Sequence, residues 1–406
     1  MGSYSHQAVY NTIGTTVTLF SQWLIMMLIP SINNFSEAGI FAISISVCSI
    51  LNHVATFSLK EYQISDQNSK FSDSEYAYTR LITIAISFVG ILPISILFGY
   101  DLEEVSAIIA YMIYRNLLHF AYVYSASLQV AGRLDYVGKC MTAEGIVSFI
   151  TFIFTYVGTD NLVLSIFVMA VFGGGLFCLT QSLGYKNIVK KQIQITCIDK
   201  KKIKRLLKIG FPLFLAIISP TITTALPKLF LQAIENNEIA GIFSTLSTPT
   251  IIIPTLVISV FSPLIVYFSD MIKRGDVAKF KRKYLQINLA IILFGVLCVG
   301  LSILVQGWVF NLLYGDEISE YVNLFAILVL GITFYSVGTC GSVVLIIKNQ
   351  GRISAIASLI SLIVGLVLCI MLIPGGSIEG ATCALVCAYA TYGGLVAIFS
   401  YFYPIT

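Results

Sequence analysis

Charge is what this sequence has least of. Only 11% of its 406 residues are Asp, Glu, Lys or Arg, against roughly 25% in soluble domains. A chain so poor in charge cannot cover a water-facing surface. With 57% hydrophobic residues and a mean hydropathy of +0.89, it needs lipid as part of its solvent. The chain also has no P-loop, no CxxC pair and no His/Cys cluster, which argues against an ATPase, a redox pair and a metal site. No cofactor is expected. Eight of the nine cysteines lie in apolar stretches and only Cys197 in a polar loop, so they read as small buried apolar side chains. The first residues carry no Lys or Arg, so no cleavable signal is expected. No nucleophile–base constellation and no soluble catalytic domain are visible, so an enzyme is not expected; neither is a nucleic-acid partner.

What the chain does have is long apolar runs. A helix crossing the hydrocarbon core needs about 20 mostly apolar residues. Twelve such spans fall near 9–30, 36–59, 80–99, 103–131, 134–157, 161–184, 206–233, 238–269, 284–311, 320–347, 353–373 and 378–403. Their runs are continuous rather than alternating, which argues against a β-barrel. The connections after even-numbered spans hold 22 of the 24 basic residues, and those after odd-numbered spans hold none. The positive-inside rule then places the even connections and both termini in the cytoplasm, as in a multi-pass protein of the bacterial inner (plasma) membrane.

The basic connection divides six spans from six: a lobe over 1–184, a cytoplasmic connector over 185–205 and a second lobe over 206–406. Short matches recur in the same order in both halves. Ala38-Gly39-Ile40-Phe41 pairs with Ala240-Gly241-Ile242-Phe243, and Ser65-Asp66 with Ser269-Asp270. Phe98-Gly99-Tyr100-Asp101 pairs with Tyr314-Gly315-Asp316-Glu317, and Gly132-Arg133 with Gly351-Arg352. Six spans per half insert with the same orientation, giving a parallel repeat, and the site is expected between the halves.

The two remaining basic residues, Arg115 and Lys228, fall inside spans. Tyr111, Arg115, His119, Tyr122 and Gln129 share one helix face in the fourth span. Arg115 lies about 20 Å along the helix from its outer end, near mid-membrane. A charge there costs at least roughly 2.5–3.5 kcal/mol and normally faces a cavity or a partner. Further polar stripes run through Asn11, Thr15, Thr18 and Gln22; Ser46, Ser49, His53 and Thr56; Glu144, Ser148, Thr151 and Thr155; and Thr221, Thr224 and Lys228. Spans 1, 2, 4 and 5 are therefore expected to line a hydrated cavity with 7 and 8 opposite, and spans 3 and 6 to pack outside. Plainer readings stay open. Arg115 and Glu144 as an ion pair would only lock helices together, Lys228 would snorkel to headgroups, and His53 and His119 would be packing residues. Six of the ten prolines (Pro212, Pro220, Pro227, Pro249, Pro254 and Pro263) lie in spans 7 and 8, where kinks suit a helix that bends beside a cavity.

Twelve spans, the duplication, Gly210-Phe211-Pro212 opening the seventh span, Leu312-Leu313-Tyr314-Gly315-Asp316-Glu317 after the ninth and Ile378-Glu379-Gly380-Ala381 opening the twelfth resemble the polysaccharide transporter family of the MOP flippase superfamily, in particular the O-antigen flippase Wzx. The resemblance implies an all-α integral membrane fold of about 12 helices in two six-helix lobes around a central cavity. It implies a flippase moving an undecaprenyl-pyrophosphate-linked oligosaccharide, the O-antigen repeat unit of lipopolysaccharide, from the cytoplasmic to the periplasmic leaflet by alternating access. The substrate-binding residues would be Arg115, His119, Tyr111, Tyr122, Lys228 and His53. Glu144 would carry a coupling proton or sodium ion. Implied partners are the lipid-linked glycan, membrane lipids and the polymerase and chain-length regulator of the same pathway. The alternatives are a MATE-type drug/cation exporter, whose site needs acidic rather than basic charge, and a membrane-embedded polysaccharide polymerase, which would show a large outer loop.

Overall fold

The computed structural model describes residues 2–57, 59–65, 71–190, 200–261, 276–348 and 350–402, with isolated residues 193, 264, 268, 271 and 274. Asp66, Cys197, Pro263, Ser269 and Asp270 lie outside the described residues, and Gly210, Pro212 and Asp316 are described in their backbone only. Every regular element among the described residues is helical. In order these are α1 (Gly2–Ile32), α2 (Phe35–Thr56), the short α3 (Leu59–Ser65), α4 (Asp73–Val89), α5 (Ile91–Phe98), α6 (Leu102–Val130), α7 (Leu134–Thr159), α8 (Leu162–Met169) and α9 (Gly175–Gly184). They continue with α10 (Lys200–Ile234), α11 (Asn237–Ser247), α12 (Ile252–Phe261), α13 (Val277–Tyr314), α14 (Leu324–Ile347) and α15 (Gly351–Phe402).

Ten helical stretches among the described residues are long and apolar enough to cross a membrane. One of them, α15, is two helices: Ser377 sits at φ 42°, ψ −123° and breaks it. The helix α6 has 29 residues, and Arg115, Asn116, His119 and its tyrosines lower its hydropathy enough to keep it outside that apolar set. With both counted, the twelve expected spans are present. The chain is a multi-pass membrane protein.

Two compact units divide the chain at residues 1–215 and 216–406. This boundary lies ten residues beyond the expected connector, inside α10. The reason is local. Leu206 is fully buried with Leu59, Phe71, Tyr76, Ala77 and Val123, Lys202 pairs with Glu75 at 2.9 Å, and Phe214 stacks on Phe57. The first half of α10 thus belongs to the first unit.

The repeat is visible in how the two units start their second helices. Asn34 caps α2 by accepting from the Glu37 amide at 2.9 Å, and Asn236 caps α11 by accepting from the Ile239 amide at 2.9 Å. These side-chain caps satisfy amides that a helix start leaves unpaired. The matched Ala-Gly-Ile-Phe segments that follow are buried in both units. Gly99 and Gly315 end α5 and α13 at φ 69° and φ 67°, a conformation that costs glycine least. The Gly132/Gly351 match has no such counterpart: Gly132 turns at φ 72° after α6, whereas Gly351 opens α15.

Small residues let the helices approach. In the first unit α1 crosses α7 so closely that a Cβ on Gly138 would overlap the Tyr10 backbone, and one on Gly145 would meet the Thr18 Cα at 3.0 Å. Interfaces of this kind replace the hydrophobic drive that lipid removes. Within the second unit, Lys348 is buried, donates to the Ser400 carbonyl at 2.8 Å and lies 4.5 Å from the Phe280 ring centroid. It stabilises the negative C-terminal end of the last helix, although the sequence placed it in a connection. Pro249 sits in the 3-10 turn Thr248–Ile251 that interrupts the eighth span.

Candidate functional site

The register of α6 is set at its outer end. Asp101 accepts from the Glu104 amide and Glu104 accepts from the Asp101 amide, both at 2.8 Å. This reciprocal cap satisfies two otherwise unpaired amides. From that start, 13 residues of helix carry Arg115 about 20 Å along the axis.

The Glu144 carboxylate on α7 is 2% exposed. It accepts from Thr18 of α1 at 3.1 Å, from Ser148 one turn along at 2.9 Å and from the Tyr114 hydroxyl of α6. Three elements thus converge on one buried carboxylate through hydroxyl donors. Arg115 and Glu144 do not form an ion pair within 4.0 Å; the ion pairs among the described residues are Arg133–Asp135 and Lys202–Glu75. The electrostatic neighbours of Arg115 are Tyr111, Tyr114, Tyr122 and Glu144. Among the described residues its guanidinium makes no hydrogen bond. The lock between helices is therefore the hydroxyl network, and the guanidinium takes no part in it.

His119, one turn from Arg115, is 3% exposed, and neither ring nitrogen has a partner. Buried polar groups are normally paired. Its ring meets Tyr122 edge-on at 5.5 Å, and its charged neighbours are Arg115, Arg80, His53 and Lys60. Lys60 lies 4.4 Å from the Tyr122 ring centroid. Tyr111 is closed in, edge-on to Phe41 and 5.8 Å from Tyr114. His53 is half-buried, and its carbonyl accepts from the Phe57 amide where α2 ends. The first unit thus brings together Arg115, His119, Tyr111, Tyr122 and His53, with Glu144 beside Arg115. Lys228 belongs to the second unit. It lines a narrow cleft with Thr224, Ser247, Thr250 and Tyr389, and Tyr389 donates to Thr224 at 3.1 Å.

Three residues near this group do not stand out in the sequence. By apolar run length Arg80 belongs to a basic connection. The helix α4 begins seven residues earlier than expected, at Asp73, through a reciprocal Ser72–Glu75 cap. Arg80 therefore lies two turns inside, 1% exposed, donating to the Ala55 carbonyl at 3.2 Å. The Ser-x-x-Glu pattern was the signal that marks this start. Lys60 likewise falls in a connection by sequence. Gly173 is the third. It lies in the π-helical turn Ala170–Gly174 of the sixth span, and a Cβ there would overlap the Ser148 hydroxyl. Spans 3 and 6 thus bring Arg80 and Gly173 toward this polar group, while their outer faces, Ile96 and Phe172 among them, stay exposed as expected. Gly173→Ala should cost about 1–3 kcal/mol, as overpacking does, read as a lowered melting temperature in detergent. Adding Ser148→Gly should restore part of the loss. An unchanged melting temperature in the single variant would remove this contact from the account.

No family model matches the chain. A Staphylococcus aureus protein named capsular polysaccharide biosynthesis protein CapF is 24% identical over 402 residues, 97% of each chain. Among solved structures, an inward-facing multidrug resistance MATE family transporter of the MOP superfamily superposes with a TM-score of 0.74 at 15% identity, covering 98% of this chain and 97% of that one. The chain has the MATE-type fold. The lipid II flippase MurJ in an inward closed conformation matches it as well, with a TM-score of 0.73 at 15% identity over 97% of this chain and 88% of that one.

Proposed function

We propose that the protein is a flippase for an undecaprenyl-pyrophosphate-linked oligosaccharide of a surface polysaccharide, moved from the cytoplasmic to the outer leaflet by alternating access. The observation that carries the reading is the cationic group in the first unit: Arg115 without an ion pair or hydrogen bond among the described residues, beside a buried His119 with both nitrogens unpartnered. A guanidinium of this kind suits a pyrophosphate, which needs cationic donors in a low-dielectric surrounding. The capsular name of the relative and the fold shared with a lipid II flippase support it. An O-antigen unit and a capsular unit fit this chemistry equally.

In this mechanism Arg115, His119 and Lys60 hold the pyrophosphate. Tyr122 presents an aromatic face to the glycan, and Lys228 provides a separate cationic contact. Glu144 carries the coupling proton, because its three hydroxyl partners accommodate either protonation state. The MATE-type fold keeps a drug/cation exporter as a second reading. Flipping of a fluorescent lipid-linked oligosaccharide in proteoliposomes, alongside efflux of an organic cation, separates the two. Glycan-lipid flipping without cation efflux is expected, and the reverse result would replace the proposal.

A further inference from the structure

The second unit contains an apolar groove of about 550 Å³ that none of the assigned residues enters. Its walls come from α12 and the residues just after it (Leu256, Val260, Leu264) and from α13 (Ile287, Ala290, Phe294). Its floor is packed: Val257, Phe261 and Ile291 are buried in a cluster with Phe280 and Tyr284. The rim is open, with Val260 74% exposed.

Helical spacing continues the α13 wall toward its basic end. Positions 279, 283, 287, 290 and 294 recur every three or four residues and so share one face. Lys283 and Lys279, both exposed, thus sit about 6 and 12 Å beyond Ile287 along the axis. In the proposed orientation this is the cytoplasmic end, where lysines at the interface attract anionic headgroups. From Ile287 to Phe294 the wall runs about 10 Å, less than the roughly 15 Å depth of one leaflet. At that length the groove holds about two thirds of a single acyl chain of the cytoplasmic leaflet, whereas most of a long polyprenyl tail would lie outside it.

We infer that this groove is a binding site for an anionic phospholipid, one acyl chain lying between α12 and α13 and its phosphate held by Lys283 and Lys279. The site rests on the charge placement and the membrane orientation, and not on the flippase reading, because its readout is lipid binding rather than transport.

Native mass spectrometry of the purified full chain with phosphatidylglycerol, phosphatidylcholine and undecaprenyl phosphate tests it. Phosphatidylglycerol should be retained in preference to phosphatidylcholine. The Lys279→Gln/Lys283→Gln variant should weaken that retention by roughly 30-fold, at about 1 kcal/mol per lysine. Ala290→Phe, at an exposed position that tolerates bulk, should abolish it by filling the groove. Equal retention of the two phospholipids would overturn the inference, as would unchanged retention in both variants. Retention of undecaprenyl phosphate alone would overturn it in favour of a carrier tail.

Discussion

Arg115→Ala abolishes glycan-lipid flipping, in the expected result, while the protein inserts and folds as before. The loss follows from what Arg115 does with its donors. Two charge-assisted bonds to a phosphate are worth about 3 kcal/mol together, roughly 100-fold in affinity. Arg115→Lys keeps the charge and loses the planar fork, so it should retain part of the activity. Stability supplies a second readout. Arg115 makes no ion pair with Glu144, so its removal strands no buried partner, and it relieves the desolvation of a half-buried guanidinium. The melting temperature should hold or rise. A large fall would mean that Arg115 is a structural strut.

Glu144 gives the second large effect, through a contrast between two variants. Glu144→Ala removes the acceptor shared by Thr18, Tyr114 and Ser148. Thr18 keeps the Met141 carbonyl as acceptor, but leaving the Tyr114 and Ser148 hydroxyls unpaired costs about 1–3 kcal/mol each, so this variant should be strongly destabilised. Glu144→Gln keeps the network. Its carbonyl oxygen accepts from Tyr114 and Ser148, and its amide donates to Thr18, whose hydroxyl also has the Met141 carbonyl at 3.1 Å as an acceptor. Folding should then be near normal. Transport by Glu144→Gln should fall and lose its pH dependence, because the variant has no proton to exchange. A retained pH profile with normal rates would confine Glu144 to holding helices together.

Much of this architecture was legible in the residues. Apolar run length gave the spans, and the one-sided distribution of Lys and Arg gave an orientation. The cost of intramembrane charge singled out Arg115, Glu144 and Lys228. What escaped was set by tertiary packing. A hydropathy window sees Arg80 as a break in the apolar run, yet the Ser72–Glu75 cap starts α4 early enough to carry it inside. Lys348 looked like a connection residue because its acceptor, the Ser400 carbonyl, is 52 positions away. Gly173 looked like any glycine until α7 placed Ser148 against it. The division between units moved into α10 because Leu206 and Lys202 found partners on the first six spans. Pairings over such separations leave no local periodicity to read.

The measurement that bears most directly on the central claim is complementation. A bacterial strain lacking its own surface-polysaccharide flippase would receive this chain, together with the glycan-synthesis genes native to it. Restored long-chain polysaccharide at the cell surface, lost again in Arg115→Ala at matched membrane levels, is the result the flippase reading predicts. No surface polysaccharide from the wild-type chain, with the protein verified in the membrane and the lipid-linked glycan accumulating inside, would contradict it.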